Sequence, residues 1–108
     1  MSSSQILKGI LEGCLLSIIA KGETYGYEII GKLYNYGFTM VSEGSIYPLL
    51  LRMRKEGLVT TSQKNLPSGG PKRKYYSLTA KGRKELEAFK ERWDEIAGCV
   101  NKLLEEEG

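Results

Sequence analysis

The stretch SEGSIYPLLLRMRKEGL, Ser42 to Leu58, constrains this chain most, because one element carries both a core-facing stripe and a chemically active outer face. As a helix it places Ile46, Leu49, Leu50 and Met53 on one side through their three- and four-residue spacing. Ser45, Tyr47, Leu51, Arg52, Arg54 and Lys55 fall on the other side, a mixture of hydroxyls, an aromatic ring and guanidinium forks suited to base edges and phosphates. Ser42 is placed to cap the start by accepting from the backbone N–H of Gly44 or Ser45, and Gly57 supplies the left-handed residue that ends the helix. Pro48 restricts the geometry: beyond a first turn, proline removes a hydrogen bond and crowds the carbonyl four residues back, here that of Gly44. Two solutions stay open, a tight helix beginning at Ser45 or loosened early turns. Taken alone, the stretch also fits an ordinary amphipathic core helix, so its neighbours carry the decision.

With 108 residues and 12.1 kDa the chain suits one domain with a modest core. No run of about 18 apolar residues offers a membrane span. The opening MSSSQILKG lacks the basic region of a secretory signal, and a cytoplasmic location is the expectation. Cys14 and Cys99 are isolated from each other, which points to two buried small hydrophobes instead of a metal site or disulfide. With no histidine in the chain, the commonest general base and metal ligand is missing. The expectation is a protein that is not an enzyme and needs no metal or cofactor.

Charge is distributed unevenly. Residues 1–51 hold 3 basic and 4 acidic side chains, residues 52–84 hold 10 and 1, and residues 85–108 hold 3 and 8, giving nets of −1, +9 and −5. A basic block bounded by glycines and aromatics, beginning on the candidate reading helix, is the footprint expected for a polyanionic partner.

In chain order, Ser4 is a plausible cap for a first helix, SQILKGILEGCLLSIIAKG, whose Leu7, Ile10, Leu11, Cys14, Leu15, Ile18 and Ile19 recur at helical spacing and which Gly22 ends. Its second half is apolar nearly all round and needs cover on more than one side. ETYGYEIIGKLYNYG follows as a supporting helix, with Thr24 as cap, Tyr27, Ile30 and Leu33 inward and an end near Gly37. Tyr25, Tyr27, Tyr34 and Tyr36 read mainly as core and interface residues, with Tyr25 at the helix start the best placed for a phosphate contact. GYEIIGKL imitates a phosphate-binding loop, but Leu33 stands where Ser or Thr must hold magnesium, and no strand precedes it.

After Gly57, LVTTSQKN and KRKYYSLT are strand-like and flank the turn LPSGGP, giving a β-hairpin with a basic, glycine-containing tip. Gly69 and Gly70 would let backbone lie close to a phosphate ridge beside Lys72, Arg73 and Lys74. Thr79 caps a final helix in which Leu86, Phe89, Trp93, Ile96, Val100 and Leu103 are spaced as a coiled-coil seam. The simplest partner is a second copy of the chain, the alternative being a helix folded back on its own domain. The closing glutamates are unfavourable at a helix C-terminus and are expected to fray. The fold class is therefore mainly α with a small β-hairpin: a winged helix-turn-helix over residues 1–78 and a long C-terminal dimerisation helix over 79–108, integrated with the first helix.

With these elements in place the sequence resembles the PadR family of winged-helix transcriptional regulators. The matching residues are GYEI at Gly26–Ile29, GSIYPLLLRM at Gly44–Met53, EGLV at Glu56–Val59 and GGPKRKYYSLTAKG at Gly69–Gly82, in the family's order. The single C-terminal helix is similar to that of the shorter subfamily. The resemblance implies a homodimer with one reading helix and wing per subunit, repressing transcription from an inverted-repeat operator of double-stranded DNA and released by a small molecule. It carries DNA-reading roles to Ser42, Ser45, Tyr47 and Arg52, and wing contacts to Lys72, Arg73 and Lys74. Some small members hold flat aromatic compounds between two copies of a tryptophan in this helix, which makes Phe89 and Trp93 a possible effector pocket; plain interface packing is the other reading. A function from another class is a winged-helix module that binds an acidic protein partner through the same basic wing.

Overall fold

The computed structural model describes residues 3–65 and 69–107. The chain opens with two helices, α1 (Ser3–Lys8) and α2 (Leu11–Ala20), where one was expected. Gly9 and Ile10 interrupt them with tight three-residue turns, the Gly9 N–H bonding the Ile6 carbonyl at 3.3 Å and that of Ile10 the Leu7 carbonyl at 2.9 Å. Glycine has the weakest helix preference of the non-proline residues, so the ladder breaks there at least cost. Ser4 was expected to cap the first helix but lies within α1, one residue past its start; the hairpin tip at 66–68 lies outside the described residues. Leu11, Leu15, Leu16, Ile18 and Ile19 of α2 are all buried, as its apolar circumference requires.

Gly22, at φ +151°, turns the chain into a two-residue strand, β1 (Thr24–Tyr25), which the sequence did not reveal. Thr24 is therefore not the cap of α3 (Gly26–Asn35); Tyr25 occupies that position. The Thr24 hydroxyl is instead buried and donates to Glu28 Oε1 at 2.6 Å. Tyr27 points outward, with Gly26, Ile29 and Leu33 forming the inner face. Tyr34 and Tyr36 are also exposed, so three of the four tyrosines assigned to core and interface lie on the surface of the chain.

Helix α4 (Glu43–Lys55) begins two residues before Ser45, which puts Pro48 inside it. Ser42 holds the cap position, but its side chain makes no capping bond; its carbonyl accepts from Ser45 and Ile46, both at 3.0 Å. The far end closes as the sequence demanded. Gly57 adopts φ +78°, its N–H reaches the Arg54 carbonyl at 3.1 Å, and that of Leu58 reaches Met53 at 2.9 Å. Ile46, Leu50 and Met53 are fully buried and fix which face of α4 is left for solvent.

Strands β2 (Val59–Lys64) and β3 (Arg73–Leu78) pair antiparallel from Val59–Leu78 to Lys64–Arg73, and β1 joins the other edge of β3 through Thr24–Tyr76 and Tyr25–Tyr75. The hairpin is thus two strands of a three-stranded sheet ordered β1-β3-β2. Lys64 at the far end of β2 donates to Glu23 beside β1, and this hydrogen bond holds the Glu23 carboxyl below its ordinary pKa.

Thr79 caps α5 (Ala80–Glu107), accepting from the Gly82 N–H at 3.0 Å and donating to the Gly57 carbonyl at 2.6 Å. One hydroxyl so joins the end of α4 to the start of α5. Gly82 is packed on the Leu58 carbonyl, and the Phe89 ring lies directly over Gly13 of α2. Leu86 belongs to the core of its own domain, so the seam proper starts later than expected. Helical geometry continues through the closing glutamates to Glu107. A 28-residue helix spans about 42 Å, which accounts for an outline of 56 × 28 × 20 Å. Cys14 is half-buried, and burial raises its thiol pKa; Cys99 is exposed on α5, contrary to the expectation of a buried thiol.

Candidate nucleic-acid interface

The buried stripe of α4 turns Gly44, Pro48, Leu51 and Lys55 to solvent. Ser45 and Arg52 lie on one flank of that outer face, Tyr47 and Arg54 on the other. Leu51 is 52% exposed in the middle of it, an apolar side chain of the kind that meets a thymine methyl group. Helical spacing had already set it apart from Leu49 and Leu50, on the face opposite the core stripe. Arg54 and Lys55 also join this surface, and the last turn of α4, with Arg52, Arg54 and Lys55, complements the negative end of the helix dipole.

Tyr47 faces the sheet. Its ring rests on Gly26, where an added Cβ would stand 2.5 Å from the phenol oxygen. Burial raises its pKa, and the nearby Glu43 carboxylate acts in the same direction. Tyr25, Tyr27, Tyr47, Arg73, Lys74 and Tyr76 together line a depression of about 250 Å³ between α3, α4 and the sheet. Burial also raises the pKa of Tyr76, with Arg54 opposing. Tyr25, assigned from sequence to a phosphate contact, is half-buried and meets Tyr75 edge-on, centroids 5.4 Å apart at 74°.

Arg73 does not project from the wing as expected of a freely exposed cation. Its guanidinium lies 4.8 Å from the Tyr25 ring centroid, and its buried Nε has no hydrogen-bond partner. Alternation along β3 explains this: Arg73, Tyr75 and Ser77 share one face of the sheet, while Lys74, Tyr76 and Leu78 share the face toward α4. Lys72 and Lys74 are exposed, and Gly70 is half-buried between them and Gly69, which adopts φ +80°. Lys64 extends the cationic row, its ammonium 5.7 Å from the Tyr75 ring.

Arg52 is the assigned residue least poised for base contact. Its Nη2 lies 3.4 Å from Glu12 of α2 and its Nε 3.6 Å from Glu56 at the end of α4 itself, so one carboxylate draws it toward α2 and the other holds it along its own helix. Ser42 and Ser45 are exposed, their hydroxyls 3.2 Å apart at the start of α4. Contrary to expectation a short strand, β1, does precede the phosphate-loop imitation, but Gly26 and Gly31 both lie in α3, so no glycine loop separates strand from helix and the imitation fails on geometry.

A core-anchored helix with a mixed polar and apolar outer face, beside a strand pair carrying lysines, defines the winged-helix class of nucleic-acid-binding domains. Comparison with known proteins narrows the class. The model of the PadR-like transcriptional regulator family matches residues 15–88, and the chain belongs to that family. A PadR-like regulator of Bacillus cereus is 57% identical, with 93% of this chain and 96% of that one covered and a TM-score of 0.85. A Streptococcus transcriptional regulator is 38% identical over 92% and 96%, with a TM-score of 0.83. An uncharacterised protein of Lysinibacillus sphaericus is 30% identical over 97% of both chains. The protein is accordingly a DNA-binding transcriptional regulator and not an enzyme. Among the described residues no helix is long and apolar enough to cross a membrane.

Proposed function

We propose that two copies of this chain bind an inverted-repeat operator and repress transcription by occupying it, with release by a small molecule. The observation that carries the reading is the row Trp93, Ile96, Val100 and Leu103, exposed at 45–67% on a helix whose first turns are already built into the core. An apolar row at seam spacing beyond the domain fits the same row of a second copy, and two-fold pairing would present two reading helices. Residues 79–108 then serve as the dimerisation segment and residues 1–78 as the reading domain. Leu86 supports the base of the segment from within, and Phe89 links the two parts through Gly13.

Within each half-site, Ser42, Ser45 and Leu51 face bases and Tyr47 meets them with the exposed edge of a ring that otherwise rests on Gly26, while Arg54, Lys55, Lys72 and Lys74 grip phosphates. Arg73 and Tyr25 form a stacked support whose guanidinium edge meets the backbone; Gly70 allows close approach there, and Arg52 joins when DNA displaces its carboxylates. Phe89 and Trp93 line a shallow hollow of about 250 Å³ against α2, where a flat aromatic effector would sit between the copies.

The test is salt-dependent binding to a two-fold symmetric duplex and to random DNA. Lys72→Ala with Lys74→Ala should weaken both equally and flatten the log–log salt slope by roughly 0.9 for each phosphate no longer neutralised. Tyr47→Phe should instead narrow the gap between the two duplexes. A wild-type protein that shows no preference for the symmetric duplex contradicts the proposal.

A further inference from the structure

A hollow larger than those at the wing and at Trp93 lies elsewhere among the described residues. It measures about 710 Å³ and lies between the α1–α2 corner, the segment before α4 and the Ser45–Arg52 flank of α4. Its volume falls in the range of small-molecule sites, roughly 300–1,000 Å³. Its wall is apolar: Leu7, Leu11 and Val41 are buried side chains that nonetheless line it, joined by Leu49, Pro48 and Met40. Its rim is charged, with Lys8 and Arg52 as cations and Glu12 as the one carboxylate. Lys8 forms no salt bridge among the described residues, and Arg52 meets Glu12 at 3.4 Å and, outside the hollow, Glu56 at 3.6 Å, exposed pairs of the kind that are worth little.

We propose that this hollow binds an amphipathic organic anion, a carboxylate on a medium-length alkyl or aryl body, with the carboxylate on Arg52 and Lys8 and the body over Leu49, Pro48 and Val41. Charge complementarity selects an anion, because the rim offers two cations against one acid. The ligand takes Arg52 from Glu12, covers Pro48 and Ser45, and sets a negative charge on the flank of α4. DNA phosphates are repelled by the same charge, so ligand and DNA oppose each other by linkage. This consequence for DNA rests on the reading of α4 as the reading helix; the binding of the anion does not.

The probes are octanoate, octylamine and octanol, titrated into the full chain and followed by backbone amide shifts. Octanoate is expected to move Lys8, Met40, Leu49 and Arg52 saturably, with octanol weaker and octylamine weakest. Met40→Glu and Lys8→Glu, both at exposed positions to which no DNA contact is assigned, should each weaken octanoate by roughly fivefold or more, while Glu12→Gln, which removes the competing carboxylate of the rim, should tighten it. Octylamine binding as well as octanoate, shifts centred on Phe89 and Trp93, or no shifts into the millimolar range would each overturn the site. In a second arm, saturating octanoate should weaken binding to the symmetric duplex and lose that effect in Met40→Glu. Octanoate and duplex bound independently would overturn the coupling alone. A chain that binds octanoate but no duplex would overturn the DNA reading and leave the site standing.

Discussion

Three glycines show how differently one missing side chain can matter. At Gly82 an added Cβ would meet the backbone carbonyl of Leu58, which cannot swing away, so Gly82→Ala should destabilise by about 1–3 kcal/mol or more in denaturant unfolding. At Gly13 the obstacle is the half-buried Phe89 ring, and the same substitution should loosen α5 from α2. At Gly26 it is the outer edge of the Tyr47 ring, which is free to turn toward solvent. Gly26→Ala should therefore cost under about 1 kcal/mol of stability, yet disturb DNA preference by moving Tyr47. Alkaline titration offers a separate check. Burial raises the pKa values of Tyr47 and Tyr76, and a phenol raised on folding contributes stability that is present below its unfolded value near 10 and lost as pH climbs through the higher folded one. The tyrosinate absorbance should show a late component above pH 10, shrinking in Tyr47→Phe and in Tyr76→Phe. A component unchanged by both substitutions contradicts the placement of these rings. None of these packing arrangements was legible in sequence, because each joins residues far apart in the chain through a side chain that local spacing does not aim.

Elements were legible where their ends carry a specific chemistry. Gly57 and Thr79 each mark a helix end through a backbone or hydroxyl requirement that tertiary packing does not override, and both ends lie where the residues put them. The α1–α2 break was hidden because Gly9 falls between two apolar groups that share one helical phase, Leu7 and Leu11. β1 was hidden because two residues show no alternation; its pairing with β3 exists only once the hairpin is folded. The site divided in the same way: α4 could be read from periodicity, whereas the burial of Arg73 on Tyr25 and the tie of Arg52 to Glu12 depend on neighbours distant in sequence. Thr79 is the junction most worth testing. Thr79→Ala removes the cap of α5 and the bond to Gly57, with an expected loss of about 1–2 kcal/mol. Thr79→Ser, which keeps both hydrogen bonds, should recover most of it; equal losses in the two variants would assign the effect to the methyl group.

The molecule as a whole is a small domain with a helix too long for it. The first turns of α5 complete the core through Leu86, and the remaining turns carry an apolar row that the single chain leaves exposed. Ile96→Glu with Val100→Glu should place like charges along that row, yield a monomer in sedimentation, and leave the melting of the reading domain nearly unchanged. Because two half-sites held by one dimer act at high effective concentration, this monomer should lose most of its affinity for a symmetric duplex while keeping weak binding to a half-site. A variant that stays dimeric would move the interface to α1 and α2. Selection of bound duplexes from a random pool tests the assembly and the reading helix together. The expected product is an inverted repeat whose half-sites are centred about one helical turn apart, roughly 34–36 Å. Enrichment of a single unsymmetric site, or of no sequence at all, would contradict a two-fold protein reading DNA through α4.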